Sequence, residues 1–172
     1  MEHWWDAAMD RSMHTTAALA AGVFALYVIS LHQEVHYSDI LIPIMLFAGM
    51  NVPDLDTSRF LHHRRTLHGC FALLVLTFLI TLAGFNHWEL AFYLYLIPVG
   101  MGMHIIQDMA TASGCTLFYP LSKRKYRYAK LKGHGAGALL VSITLGLVVG
   151  WGTAVLYVMG SCPLLALATL CP

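Results

Sequence analysis

Apolar residues fill positions 14–31, 40–52, 67–85, 90–112 and 136–159 almost without interruption, and short polar segments separate these five runs. None shows the alternation of a half-buried strand, and runs of about 17–25 apolar residues have the length a helix needs to cross a bilayer. The pattern predicts an all-α polytopic membrane bundle of about five transmembrane helices, forming a single integral domain over residues 1–172. The second run is the shortest, so its helix is expected to be tilted or to lie where the bilayer thins, and Pro53 ends it. Trp4 and Trp5 suit an interfacial belt or a short helix on the membrane surface. The apolar tail SCPLLALATLCP is expected to pack along that surface. Arg11 is the one basic residue before the first run and no small-residue cleavage site follows in HQEVHYSD, so the first helix is read as retained.

Composition supports the membrane reading. The chain is 58% hydrophobic and 11% charged, against roughly 45–50% and 25% in soluble domains. A soluble protein of this length could not bury so much apolar surface. The formal net charge of +1 says little about partners, but the placement of the charges says more. All ten basic residues, Arg11, Arg59, Arg64, Arg65, Lys123, Arg124, Lys125, Arg127, Lys130 and Lys132, fall before the first helix, between the second and third, or between the fourth and fifth. With five spans these segments share one side, and the positive-inside rule makes it cytoplasmic, with the C-terminus outside.

The candidate chemistry gathers at that side. Between Asn51 and Gly69 the sequence NVPDLDTSRFLHHRRTLHG holds two aspartates, three histidines and three arginines. His14 opens the first helix, and His104 and Asp108 near the end of the fourth are spaced to share one helix face. Four separate helices therefore deliver His or Asp to one depth, the sequence pattern of a metal site inside a bundle. His14, Asp54, His63, His68, His104 and Asp108 are the expected ligands of a divalent metal, zinc first, with manganese or iron as alternatives. Asp54 and Asp56 lie two apart in a stretch expected to be extended, which would point both to one side. Asp56 is then the carboxylate to spare as general base, and Arg64 and Arg65 could neutralise a phosphoryl group. The plainer readings are a capping turn for the aspartates, an interfacial cap for His14, and topology or anionic-lipid contact for the arginines.

No G-x-S-x-G elbow and no H-E-x-x-H helix occurs, so acyl-enzyme and zincin chemistry have no support. The segment SKRKYRYAKLK reads as a lipid-surface anchor, nucleic-acid contact resting on charge alone, and His134 beyond it is a weak extra ligand candidate. Cys70 and Cys115 lie on the reducing side as free thiols, whereas a Cys162–Cys171 disulfide would be permitted in a periplasm, and sequence leaves it open.

These motifs resemble the YdjM-like family of small bacterial inner-membrane proteins, described as membrane-bound metal-dependent hydrolases. That family shows an early His, a D-x-D stretch with H-R-x-x-x-H, then H-x-x-x-D running into T-x-S-G and a W/Y-P-x-S-K-R segment. The counterparts here are His14, Asp54 to Asp56, His63 to His68, and His104 to Tyr126. The family usually has Gly-Ile-Thr-His-Ser where this chain has Arg65-Thr66-Leu67-His68-Gly69, and Thr where it has Met13. The resemblance implies a metal, an inner-membrane location and a hydrolase; with arginines beside the site, the expected substrate is a phosphoester or related ester, a membrane lipid or a phosphorylated small molecule. The rival expectations are a transporter or metal carrier, with polar groups through both halves of the membrane, and a structural or regulatory protein whose closed metal site pins its helices.

Overall fold

In the computed structural model the chain is described at residues 2–57, 67–84, 87–111, 114–131 and 135–170, the side chains of 2–11, 56–57, 84, 88–89 and 161–170 excepted. Five helices follow in order: α1 (Glu2–Ser30), α2 (Leu41–Asn51), α3 (Cys70–Gly84), α4 (Trp88–Ala110) and α5 (Ala136–Leu170). Two 3-10 turns, Tyr37–Ile40 and Pro53–Thr57, flank α2. The all-helical membrane bundle read from the apolar runs is therefore present.

The boundaries differ in instructive places. The first helix begins well before His14, and the last runs on to Leu170, so the apolar tail continues α5 and does not turn onto the surface. The 3-10 turns extend the second helix into a 19-residue apolar segment, Tyr37–Leu55, long enough to cross a membrane. The short element is α3, whose 15 residues span about 22 Å at 1.5 Å per residue, less than a hydrocarbon core of about 30 Å. Ser12–Ser30, Leu90–Ala110 and Ala136–Gly160 complete the four helical segments of spanning length among the described residues.

Small residues set the helix spacing. α1 packs most extensively on α5 and α2 on α4, while α4 and α5 touch only lightly. Ala17, Ala18, Ala21 and Ala25 form a buried stripe on α1, and a Cβ at Gly146 of α5 would lie 2.7 Å from the Ala17 carbonyl oxygen. A Cβ at Gly100 of α4 would lie 2.8 Å from the Met50 backbone nitrogen. In lipid, where apolar burial gives no drive between helices, such close backbone approach is how van der Waals packing holds them together. Ile29, Ile42, Leu46, Leu96 and Met103 fill the middle, and large apolar side chains such as Leu74, Phe78, Leu140 and Leu156 face outward, as a bilayer solvent allows.

The two ends of the bundle are polar. At one end Asp39 is fully buried. Its carboxylate accepts from the His36 backbone N–H at 2.8 Å, from the Tyr93 hydroxyl at 3.4 Å and from the Tyr157 hydroxyl, tying the turn before α2 to α4 and α5. At the other end lie His14, Asp54, His68, His104 and Asp108, together with the exposed Lys123, Arg124, Lys125, Arg127 and Lys130. This is the basic end.

Candidate metal centre

Helix alternation alone brings the start of α1, the exit of α2, the approach to α3 and the last turns of α4 to the basic end. His14 then projects from just before the midpoint of what is a longer α1 than expected, while His104 and Asp108 stand one turn apart on α4. Asp54 lies in the Pro53–Thr57 turn. That stretch is a 3-10 turn and not the extended backbone expected. The Asp54 carboxylate reaches His104. The side chain of Asp56, and all of His63, Arg64, Arg65 and His134, lie outside the described residues, as does the Cys162–Cys171 pair.

His68 is fixed by the loop after α4. Its carbonyl accepts from the Cys115 thiol at 2.8 Å, and the Cys70 N–H donates to the Leu117 carbonyl at 2.7 Å. The same loop is folded back along α4 by Tyr128 N–H to Met109 O and Leu131 N–H to Ala110 O, both 3.0 Å. Burial pushes the Cys115 thiol up to about 12, with the Asp108 and Cys70 charges adding to the effect. Cys115 thus serves here as a neutral donor.

The donor atoms converge on the carboxylates. Asp108 has the Nε2 atoms of His14 and His68 each at 3.5 Å and that of His104 at 3.6 Å, while His104 Nε2 is 3.8 Å from an Asp54 oxygen. The His14 and His104 rings stack with centroids 4.0 Å apart and planes 15° apart, and His68 meets His104 edge-on at 5.2 Å. These nitrogen-oxygen separations exceed hydrogen-bond length.

The far side of two rings is tied off, which assigns their hydrogens. His104 Nδ1 lies 2.8 Å from the Met50 carbonyl oxygen. A carbonyl only accepts, so Nδ1 carries the hydrogen and the lone pair of the neutral ring sits on Nε2. His14 is held through α5. The Ser142 hydroxyl donates to the Ala138 carbonyl, so it accepts from the Gln107 amide nitrogen at 2.8 Å. The Gln107 amide oxygen then faces His14 Nδ1, which donates to it. Its Nε2 is left facing Asp108, with a lone pair there in the neutral ring.

A lone pair facing a carboxylate oxygen repels it unless a proton or a metal ion stands between them. Two overlapping sets, His14 with His104 and Asp108, and Asp54 with His68 and His104, have donor atoms within 4.8 Å of one another and could hold a metal ion. Ligand bonds of about 2.0–2.2 Å around a small divalent ion separate neighbouring ligand atoms by roughly 3.3–3.5 Å, close to the spacings found here. The donor set, imidazole plus carboxylate with the Nδ1 of His14 and of His104 held by an amide and a backbone oxygen, is also that of a tuned metal ligand shell. The three imidazoles are closed off, at 8% exposure or less, whereas the Asp108 and Asp54 side chains keep 20% and 32%. The site is open on its carboxylate side.

The family of YdjM inner membrane proteins matches residues 9–171, nearly the whole chain and every site residue named above. The chain belongs to that family. It is accordingly an inner-membrane protein, in keeping with its apolar helices. No curated protein and no solved structure matches it. Within this family member, Gln107 and Ser142 are the site residues that motif reading overlooks. The signal for Gln107 was present, since it precedes Asp108 and stands three residues after His104. Ser142, alone in an apolar helix, gave none.

Proposed function

We infer that the chain is a membrane-bound metal-dependent hydrolase that cleaves a phosphoester or related ester presented at the membrane surface on its basic side. The observation that carries this reading is the convergence of the His14, His68 and His104 Nε2 atoms on the Asp108 and Asp54 carboxylates at 3.5–3.8 Å. His14, Asp54, His68, His104 and Asp108 would hold the metal, zinc first by its preference for nitrogen and carboxylate donors. Bound there, a divalent ion supplies Lewis acidity and lowers the pKa of water toward neutrality. The protein's own part is to orient the imidazoles through Met50 and Gln107, to keep the histidine side dry, and to leave the carboxylate side open to water and substrate. Asp56, close to Asp54 in sequence, takes the role of general base, and Arg64 and Arg65 that of neutralising the anionic group.

Two rival readings fit less well. A carrier needs polar groups through the membrane, yet among the described residues Ile29, Ile42, Leu46 and Leu96 lie between the two polar ends, and Asp39 is occupied in tying α2, α4 and α5 together. A helix-pinning metal site would be closed on every side, and the carboxylates here are not.

Elemental analysis of the detergent-purified protein, beside His104→Ala and Asp108→Ala, is the first test. Retention of zinc, manganese or iron in the native protein and loss in both variants is expected, followed by chelator-sensitive cleavage in a screen of phospholipids and prenyl phosphates. A protein that takes up no metal on reconstitution, or holds metal and cleaves no ester, sinks the reading.

A further inference from the structure

The weak packing between α4 and α5 leaves a groove on the membrane-facing surface of about 340 Å³, within the size of ligand pockets at roughly 300–1,000 Å³. Ile106 and Tyr128 form one wall, and Leu140, Thr144, Leu145 and Val148 of α5 the other. Leu140 and Val148 are each about two-thirds exposed, so the groove lies open toward the lipid. From Leu140 to Val148 it runs about 12 Å along the axis, most of one leaflet of a hydrocarbon core about 30 Å thick.

Its shallow end leads to the candidate metal centre. A small recess of about 20 Å³, room for a water-sized group, is lined by Met13, His14, Gln107, Thr111 and Ser142. Val141 lines both this recess and the groove, so the two adjoin at that side chain. The Tyr128 hydroxyl donates to the Ile106 carbonyl at 3.1 Å and pins the loop to the groove's mouth. That loop carries the exposed Lys123, Arg124, Lys125, Arg127 and Lys130, and a basic residue near an anionic membrane is worth about 1 kcal/mol.

We propose that the α4–α5 groove binds the hydrocarbon chain of an anionic membrane lipid, laid along α5 with its head at the basic loop, so that a lipid is held in the bilayer next to the site. This rests on the hydrolase reading for the lipid's role as substrate, but the binding itself does not. An apolar trough of one leaflet's depth, ending at cations and a polar recess, matches an amphiphile in both halves. A water-soluble phosphate would have no use for the trough.

The test uses the full protein in vesicles of phosphatidylethanolamine and phosphatidylglycerol containing a trace of phosphatidylglycerol with a photoreactive diazirine in its acyl chain. After illumination, adducts are mapped by mass spectrometry. Adducts at Ile106 and over 140–148 are expected at least threefold above those at Leu74 and Phe78, the lipid-facing positions of α3. Thr144→Trp, which fills the trough from an exposed position, should lower them severalfold, and Leu74→Trp should not. A phosphatidylcholine probe with the same chain should label the groove less. Uniform labelling of all lipid-facing positions, labelling indifferent to Thr144→Trp, or equal labelling by the zwitterionic probe overturns the proposal. The two readings fail separately: uniform adducts in a protein that holds metal sink the groove alone, and groove adducts in a protein that takes up no metal sink the hydrolase alone.

Discussion

The Nδ1 of His104 donates to the backbone carbonyl of Met50 across 2.8 Å, a bond between the penultimate residue of α2 and the last turns of α4. It fixes ring orientation and tautomer at the centre of the cluster, because His104 is the residue shared by both donor sets. A main-chain partner cannot be removed by substitution, but the packing that presents it can be disturbed. Any bulk at Gly100 meets the Met50 nitrogen and pushes α2 from α4. Gly100→Val is expected to cost about 1–3 kcal/mol through overpacking, and to lower metal content although no ligand is touched. Thermal unfolding in detergent, read beside elemental analysis of the still-folded fraction, checks both halves.

Gln107 holds His14 as Met50 holds His104, relayed to Ser142 on α5. Partners of this kind are worth about 10–100-fold in metal affinity. Gln107→Leu, close in volume and unable to accept a hydrogen bond, is expected to weaken metal binding by about that factor, whereas Gln107→Glu, which keeps an acceptor facing Nδ1, should lose less. Competition titration with a chromogenic chelator measures it, and equal losses in the two variants would assign Gln107 a packing role only.

Much of this arrangement was legible from sequence, and the reasons are physical. A membrane helix must satisfy its own backbone, so apolar runs announce helices. Alternating directions then force His14, Asp54, His68, His104 and Asp108 to one end whatever the details of packing. What stayed hidden depends on backbone geometry or on single contacts. Spacing by two around Asp54 suggests an extended stretch, but Pro53 opens a 3-10 turn there. The second helix looked too short because the 3-10 turn before it, Tyr37–Ile40, reads as a polar loop, with Asp39 inside it. Asp39 is buried at the opposite end by two tyrosines, Tyr93 and Tyr157, more than fifty residues away along the chain, a partnership no local pattern displays. The Met50 carbonyl carries no sequence signal at all.

Cys115 offers a test of the loop that positions His68. Its thiol is 4% exposed and donates to the His68 carbonyl. With burial raising it to about 12 from an ordinary 9, only about one molecule in 10⁵ carries the reactive thiolate at pH 7. Maleimide labelling mapped to peptides should therefore leave Cys115 unmodified in the folded protein and modify it on unfolding. Because the folded value is raised, the contribution of this thiol to stability is complete below about pH 9 and is lost as pH rises toward about 12. Rapid labelling at neutral pH would mean that the loop opens and that His68 is not held as described.

The sidedness of the site follows from charge and is the last point to test. All ten basic residues lie in segments that five alternating helices put on one side, and the described ones crowd the end that holds the histidines. The short α3 is the element on which this depends, for if it entered the membrane without crossing, α4 would run the other way and His104 would part from His14. Their stacked rings, 4.0 Å apart, require the crossing, so the bilayer is expected to thin around α3. Cysteines placed at Lys125 and at the fully exposed Tyr37 report on opposite ends. In spheroplasts a membrane-impermeant maleimide should label Tyr37→Cys at once and Lys125→Cys only after permeabilisation, with peptide mapping to keep native thiols apart. Labelling of both from outside would remove the positive-inside assignment. Labelling of Lys125→Cys alone would turn the site, and the lipid leaflet that supplies it, to the periplasm.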